Sequence, residues 1–283
     1  MMEHPGSDAL NHLAKAVTAV GSDNFAPALA DCCLGVFGLD SLFISVFSRH
    51  LPPRQLYSNL DAEATERTIG PYLNYAYLLD PFFELFKKGV GTCVVSLDEC
   101  APDDFRASEY YRVFYSEIGL RNEVTMFVDA GSGSSIVLSL GQRGVSAQSP
   151  IQPKAVLEQF LPVVAALCIK HWPSTAEGDG DTDSAVTLAF ERFQTKKLSA
   201  REAEIVRLML KGHSTKSIAR LLGNSPETVK FHRKRIYAKL NISSQGELFS
   251  MFLGALSQAQ PKPDTPPLAI APPVPEGQRH RLN

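Results

Sequence analysis

The chain has 283 residues, 44% of them hydrophobic and 20% charged, with a formal net charge of −2. That balance describes a globular protein with enough length for one large or two small domains, and it excludes a disordered or fibrous chain. No apolar run reaches the ~18 residues of a membrane span, and the opening MMEHPGSDALNHLAKAV lacks the basic and apolar regions of a signal peptide. Five cysteines (Cys32, Cys33, Cys93, Cys100, Cys168), odd in number and without CxxC spacing, read as reduced, mostly buried thiols of a cytoplasmic protein.

From the N-terminus, Asn11 to Val20 and Ala26 to Phe37 read as helices. Leu42 to Phe47 (LFISVF) reads as a strand that Gln55 to Ser58 can pair with through the Pro52-Pro53 turn. Asp61 to Leu79 reads as a helix interrupted at Gly70-Pro71. Asp80-Pro81 opens a short helix closed by Gly89, with Asp80 as its cap. A strand over Gly91 to Ser96 and a helix over Ser108 to Ile118 follow. Glu123 to Val128 and Ser135 to Leu140 then form a hairpin across Gly131-Ser132-Gly133, and Pro153 to Lys170 is a long apolar helix. The cluster Tyr110, Tyr111, Phe114 and Tyr115 reads as core before pocket wall. The glycine-serine loop at 131–134 leads into no GK[ST] helix and is no phosphate cradle.

Composition divides the chain into an α+β domain over 8–171, a polar, acidic linker over 172–184, a helical domain over 185–256 and a proline-rich tail over 257–283, disordered or locally polyproline II.

The helical domain holds four helix signals. Ser199 and Glu202 have capping-box spacing, and Ile205, Leu208 and Met209 share a face before Gly212 ends that helix. Ser214 or Thr215 caps a second helix with Ile218, Leu221 and Leu222 on its apolar face. Ser225-Pro226-Glu227 opens a third, on which Val229, Ile236 and Leu240 face inward, His232 or Arg233 fills the step between, and Lys230, Phe231, Lys234 and Arg235 face outward. After Asn241, Ser243 or Ser244 starts a fourth with Leu248, Phe249 and Phe252. Residues 198–252 carry ten Lys/Arg against four acids, a charge of +6, which leaves −8 on the remainder. A basic helix-turn-helix module on an acidic body is the electrostatic footprint of a DNA binder.

The segment resembles the LuxR/FixJ/NarL-type helix-turn-helix, with Leu198, Ser199, Arg201, Glu202, Glu204, Gly212, Lys216, Ile218, Ala219, Leu222, Ser225, Thr228, Val229, Lys230, His232, Lys239 and Leu240 at the family's positions. The resemblance covers about a fifth of the chain. It implies a four-helix domain whose third helix enters the major groove, with Lys230, Phe231 and Lys234 at base edges and Lys216, Thr228, His232, Arg235 and Lys239 at phosphates. It also implies a role for Glu202 in orienting basic side chains. Asn224 departs from the family's apolar residue in the turn, and Ser244-Gln245 replaces an arginine.

The N-terminal pattern of about five mostly antiparallel strands with helices on both faces, next to such a module, resembles a GAF/PAS-like sensor fold. A receiver domain would need early paired acids and a regular βα repeat, both absent. Tyr72, Tyr75, Tyr77 and Asp80-Pro81 resemble part of the pocket stretch of LuxR-type autoinducer domains and are the candidate ligand residues. The pocket tryptophans of that family are missing, since the one tryptophan is Trp172.

The chain is expected to be a sequence-specific DNA-binding transcriptional regulator, controlled by a small molecule in the N-terminal domain and acting as a homodimer on a pseudo-palindromic double-stranded operator. The alternative is a ligand-independent dimeric regulator whose N-terminal domain serves dimerisation or protein partners. No catalytic set, metal-ligand cluster, cofactor motif or membrane partner is expected.

Overall fold

The computed structural model describes residues 5–49, 51–144, 154–173, 185–193 and 196–259. Most of the expected linker and all of the tail from 260 onward lie outside these residues.

Helices α1 (Pro5–Ala19) and α2 (Phe25–Phe37) lead into strands β1 (Ser41–Ser48) and β2 (Arg54–Ser58). The next stretch departs from the sequence reading. Helix α3 (Ala62–Ala64) runs on through a wide π turn, Thr65–Ile69, into α4 (Gly70–Asn74), so Gly70-Pro71 does not interrupt it. Pro71 has no N–H to give, and the wide turn lets the Gly70 amide reach back to the Thr65 carbonyl. The break comes at Tyr75, with φ −159°, before a 3-10 turn at Ala76–Leu79.

Helix α5 (Pro81–Lys87), strand β3 (Cys93–Ser96) and two elements the sequence reading lacked, α6 (Leu97–Cys100) and a 3-10 turn at Phe105–Ala107, come next. The expected helix at 108–118 divides into α7 (Glu109–Phe114), capped by Ser108, and a 3-10 turn at Ser116–Ile118. Strands β4 (Leu120–Gly131) and β5 (Ser134–Arg143) form the long hairpin. Ser132 and Gly133 both have positive φ at its tip, as a two-residue turn matched to strand twist requires. Helix α8 (Lys154–His171) closes the N-terminal half.

All five strands are antiparallel, in the order β2-β1-β5-β4-β3. Both faces are covered. Val124, Met126 and Val128 of β4 pack with α1, α2 and α8, while Phe127 joins a second cluster with α5 and α7. Trp172, assigned to the linker in the sequence reading, packs edge-on to Phe25 at 5.3 Å.

The C-terminal bundle has α10 (Ala200–Leu210), α11 (Thr215–Leu221), α12 (Pro226–Leu240) and α13 (Gln245–Ala259), as expected, and one helix more: α9 (Ala185–Glu191). Phe190 and, just beyond α9, Phe193 lie on Phe252 of α13, at 5.5 and 5.3 Å.

The two halves share one buried cluster that runs from Phe47 and Phe127 on the sheet to Val229, Ile236 and Phe252 in the bundle. The contact centres on the α10–α11 turn. The Asp104 amide donates to the Gly212 carbonyl at 3.1 Å. Gly212 has φ +88°, and a Cβ there would stand 2.8 Å from the Phe105 Cα. Glycine therefore serves twice at this point, as the left-handed helix terminus and as the space the other domain fills. Gly212→Ala should destabilise the full chain by about 1–3 kcal/mol and speed hydrogen exchange at Phe105 as well as in the bundle. Unchanged exchange at Phe105 would show that the two domains do not meet there.

Candidate functional site

The bundle builds a basic, outward-facing helix from short-range signals. Ser199 and Glu202 form the capping box of α10, the Ser214 hydroxyl accepts from the Ser217 amide to cap α11, and Ser225 with Pro226 starts α12. Val229, Ile236 and Leu240 are buried, and Lys230, Phe231, Lys234 and Arg235 are exposed. Phe231 is 58% exposed, a large apolar area to leave in water on a helix whose other face has a core to join. The Arg235 guanidinium lies over its ring at 5.6 Å. Lys216 is exposed on the first turn of α11, and Thr228 is exposed on the first turn of α12.

Of the two residues that could fill the inward step, Arg233 is tied in. It donates to the Thr215 hydroxyl at 3.0 Å and to the Gln245 side chain at 3.5 Å. His232 is half-buried, and its Nδ1 is enclosed without a partner among the described residues. Lys239, expected at a phosphate, is instead held 2.6 Å from buried Glu202, with Arg235 at 3.9 Å. Burial pushes the Glu202 carboxyl up, but Lys239 and the Ser199 amide and hydroxyl outweigh it and hold it at about 2. Glu202 thus braces α12 on α10. The two family departures do no local damage. The Asn224 amide still bonds the Ala219 carbonyl at 2.9 Å, and the Gln245 side chain ties α13 to the Met209 carbonyl at 3.1 Å.

The N-terminal domain holds a cavity of about 100 Å³ between the sheet and the α3–α7 stretch, lined by Tyr72, Asp80, Tyr110, Phe114, Tyr115, Glu123 and Ser139 among others. Asp80 caps α5 through the Phe82 amide at 2.8 Å and accepts from the Tyr72 hydroxyl at 2.6 Å. Asp80 therefore both caps α5 and lines the cavity. Tyr110, Phe114 and Tyr115 are likewise both buried core and cavity wall.

Two of the four candidate ligand residues are not at the cavity. Tyr77 is 1% exposed and packs on Phe83 at 4.8 Å, and Tyr75 packs against the same apolar cluster. The helix break at Tyr75 turns both away from Tyr72. Glu123 is the residue the sequence reading missed. It is 9% exposed and accepts hydrogen bonds from Tyr115 and Ser139. Its signal was an acid alternating with Val124 and Met126 on a strand whose other face is also covered.

Burial pushes Asp80 up to about 6, against the lowering pull of Tyr72 and the amides of Phe82 and Phe83. Burial and the charge of Asp80 push Glu123 up to about 7. The thiols offer no reactive alternative: burial raises all five, Cys168 to about 12.

An acid with a raised folded pKa favours the fold while protonated, so its contribution is complete below its unfolded value and declines as pH rises to the folded value. Glu123→Gln should therefore match the wild type in stability near pH 4, exceed it increasingly toward pH 7 and level off above, by on the order of 3 kcal/mol. Urea unfolding from pH 4 to 8 checks this; a pH-independent difference would place Glu123 in an environment unlike the one described.

Residues 196–252 match the family model for bacterial regulatory proteins, luxR family. A relative named as an HTH-type transcriptional regulator in the exeN 3′ region of Aeromonas salmonicida is 32% identical over 189 residues, covering 64% of this chain and 96% of the relative. The transcriptional regulatory protein TdiR of Thauera aromatica is 41% identical over 75 residues, covering 25% of this chain and 33% of TdiR. The crystal structure of the VqsR LBD domain from Pseudomonas aeruginosa shares the fold at a TM-score of 0.51 and 24% identity, covering 59% of this chain and 97% of that domain. An α+β domain with a five-stranded antiparallel sheet, followed by a basic helix-turn-helix bundle with relatives of this identity and coverage, makes the chain a DNA-binding transcriptional regulator that belongs to the luxR family.

Proposed function

We propose that the regulator is controlled by a small molecule bound in the cavity at Asp80 and Glu123, and that it acts in the cytoplasm as a homodimer on a pseudo-palindromic operator. The observation that carries this reading is helix α5. It begins at Asp80, a cavity residue, and one turn later Glu84 pairs with Lys211 of the bundle at 2.7 Å. Burial pushes the Glu84 carboxyl up, and Lys211 and its neighbouring lysines outweigh burial and bring it below its usual range. Asp80 also borders a cleft of about 800 Å³ between the domain and the bundle. Whatever binds Asp80 acts on the N-terminus of a helix whose next turn holds the DNA-binding module, so occupancy can shift the population of bundle positions.

On the DNA side, Lys230, Phe231 and Lys234 are assigned to base edges: lysine donates to guanine O6 and N7, and Phe231 meets a thymine methyl. Lys216, Thr228 and Arg235 are assigned to phosphates, with His232 at the margin and Lys239 acting through Glu202. One module gives a small interface, and two on a pseudo-palindrome give enough for specific binding. Exposed Val163 and Ile169 on α8 and Leu10 and Val17 on α1 support a dimer through that helical layer.

Thermal unfolding of the full chain against acyl-homoserine lactones and small metabolites, with operator affinity measured beside each hit, tests the reading. A ligand at a hundredfold its Kd adds roughly 2.7 kcal/mol. Operator affinity identical across the panel would favour the ligand-independent alternative. Lys234→Ala should cost about 1–3 kcal/mol on the selected operator and relax preference at one position; equal binding by wild type and variant would remove that assignment. Glu84→Gln should leave ligand binding intact and shrink the ligand's effect on operator affinity about fivefold, the loss of roughly 1 kcal/mol from a half-exposed pair. An undiminished effect would mean that coupling takes another route.

A further inference from the structure

Resting on that reading of the cavity, we infer that its ligand is a small organic cation, an amine of a few heavy atoms, and not a neutral or anionic molecule. Two carboxyl groups, Asp80 at 6% exposure and Glu123 at 9%, face one cavity whose lining holds no lysine, arginine or histidine among the described residues. Every partner they have there among the described residues is a neutral donor. Asp80 is met by the Tyr72 hydroxyl and the amides of Phe82 and Phe83, and Glu123 by the Tyr115 and Ser139 hydroxyls. Such donors satisfy lone pairs without cancelling charge, and a buried charge left uncancelled is costly.

The walls complete the chemistry. Tyr72, Tyr110, Phe114 and Tyr115 line the cavity beside the two acids, and aromatic ring faces attract an alkylammonium. An anion would meet two like charges. A neutral ligand would exchange water for contacts that leave both acids as they are. At about 100 Å³, against the ~150 Å³ that holds benzene, the cavity seats a group of a few heavy atoms and opens to solvent at its mouth.

The titratable groups that face this pair in the cavity are Tyr72 from α4 and Tyr110 and Tyr115 from α7 and its following turn, and Cys100 from α6 stands close by. Burial raises all four, with a further upward push from the two carboxyls. On its other side Asp80 borders the interdomain cleft, where Glu84 and Lys88 of α5 and its end, Glu99 of α6, Asp103, Lys154 of α8, and Lys211, His213 and Arg220 of the bundle lie. The three tyrosines and Cys100 stay neutral through the physiological range, so within the cavity lining the acids carry the charge. A cation draws both toward the ionised form, and its binding should release protons below pH 7.

The experiment uses the full-length protein with isobutylamine, ethanolamine and tetramethylammonium. The neutral isostere isobutanol, the anion isobutyrate and butanoyl-homoserine lactone are run alongside. Thermal unfolding and titration calorimetry at pH 7.5 should show saturable binding of at least one cation and none of isobutanol or isobutyrate. Affinity should fall at least tenfold between pH 7.5 and 5.5, with proton release in buffers of differing ionisation heat. Glu123→Gln, which should fold at least as stably as the wild type at pH 7.5, should weaken the cation at least tenfold. Equal binding of isobutylamine and isobutanol, or an unweakened Glu123→Gln variant, would overturn the cationic assignment and leave the effector reading standing, as would a response to the lactone alone. Silence toward the whole panel would overturn both.

Discussion

Asp80 is the group on which the arrangement depends. Its one carboxylate accepts from the Tyr72 hydroxyl, starts α5 by capping the Phe82 amide, faces the cavity and borders the interdomain cleft. A helix of seven residues gains little from its own propensity, so α5 relies on that cap and on burying Phe82, Phe83 and Phe86. The same helix then presents Glu84 to Lys211. A change in what Asp80 is bonded to is therefore a change in how α5 begins, and Lys211 sits one turn away.

The second constraint is the sheet. With both faces covered, a residue that alternates away from Val124 and Met126 does not reach water; it reaches the other core. That is why Glu123 is buried at all, and why its neighbours Tyr115 and Ser139 are placed to donate to it. Burying an acid without a cation lowers stability at neutral pH, and here two acids do so in one cavity. Perturbed acids of this kind cluster where a protein binds something, and the proposed cation would relieve both.

The parts legible in the sequence were those set by local rules. Capping signals at Ser199, Ser214 and Ser225 placed three helices of the bundle, and 3.6-residue spacing separated Val229, Ile236 and Leu240 from Lys230, Phe231 and Lys234. The strands of the sheet were visible as β-rich runs. Part of what failed was non-local, and part was local. Tyr75 and Tyr77 share a short stretch with Tyr72, but a backbone break at Tyr75 sends them elsewhere, and no propensity marks that break. Pro71 looked like a helix stop because the rule concerns a missing amide, and the π turn before it supplied the accommodation the rule omits. Lys239 matched a family position, yet its ammonium belongs to Glu202, 37 residues away in sequence. Helix α9 could have been read from Val186, Phe190 and Phe193, whose spacing marks one face.

The distribution of charge bears on how control would work. The acidic body meets the basic bundle at the α10–α11 turn, where Glu84 takes Lys211 and Asp103 accepts from the Ser214 hydroxyl and amide. Lys216, Lys230 and Lys234 have no ion-pair partner among the described residues, and the exposed face of α12 stays open. The described body thus leaves those cations open for the proposed DNA contacts. Docking of this kind leaves each recognition helix available and fixes its direction. In the proposed dimer, which would set two such helices about one turn of duplex apart, ~34 Å, direction would decide binding. A ligand that alters the start of α5 would then act by changing the spacing of two modules that are open throughout, rather than by covering or uncovering either one.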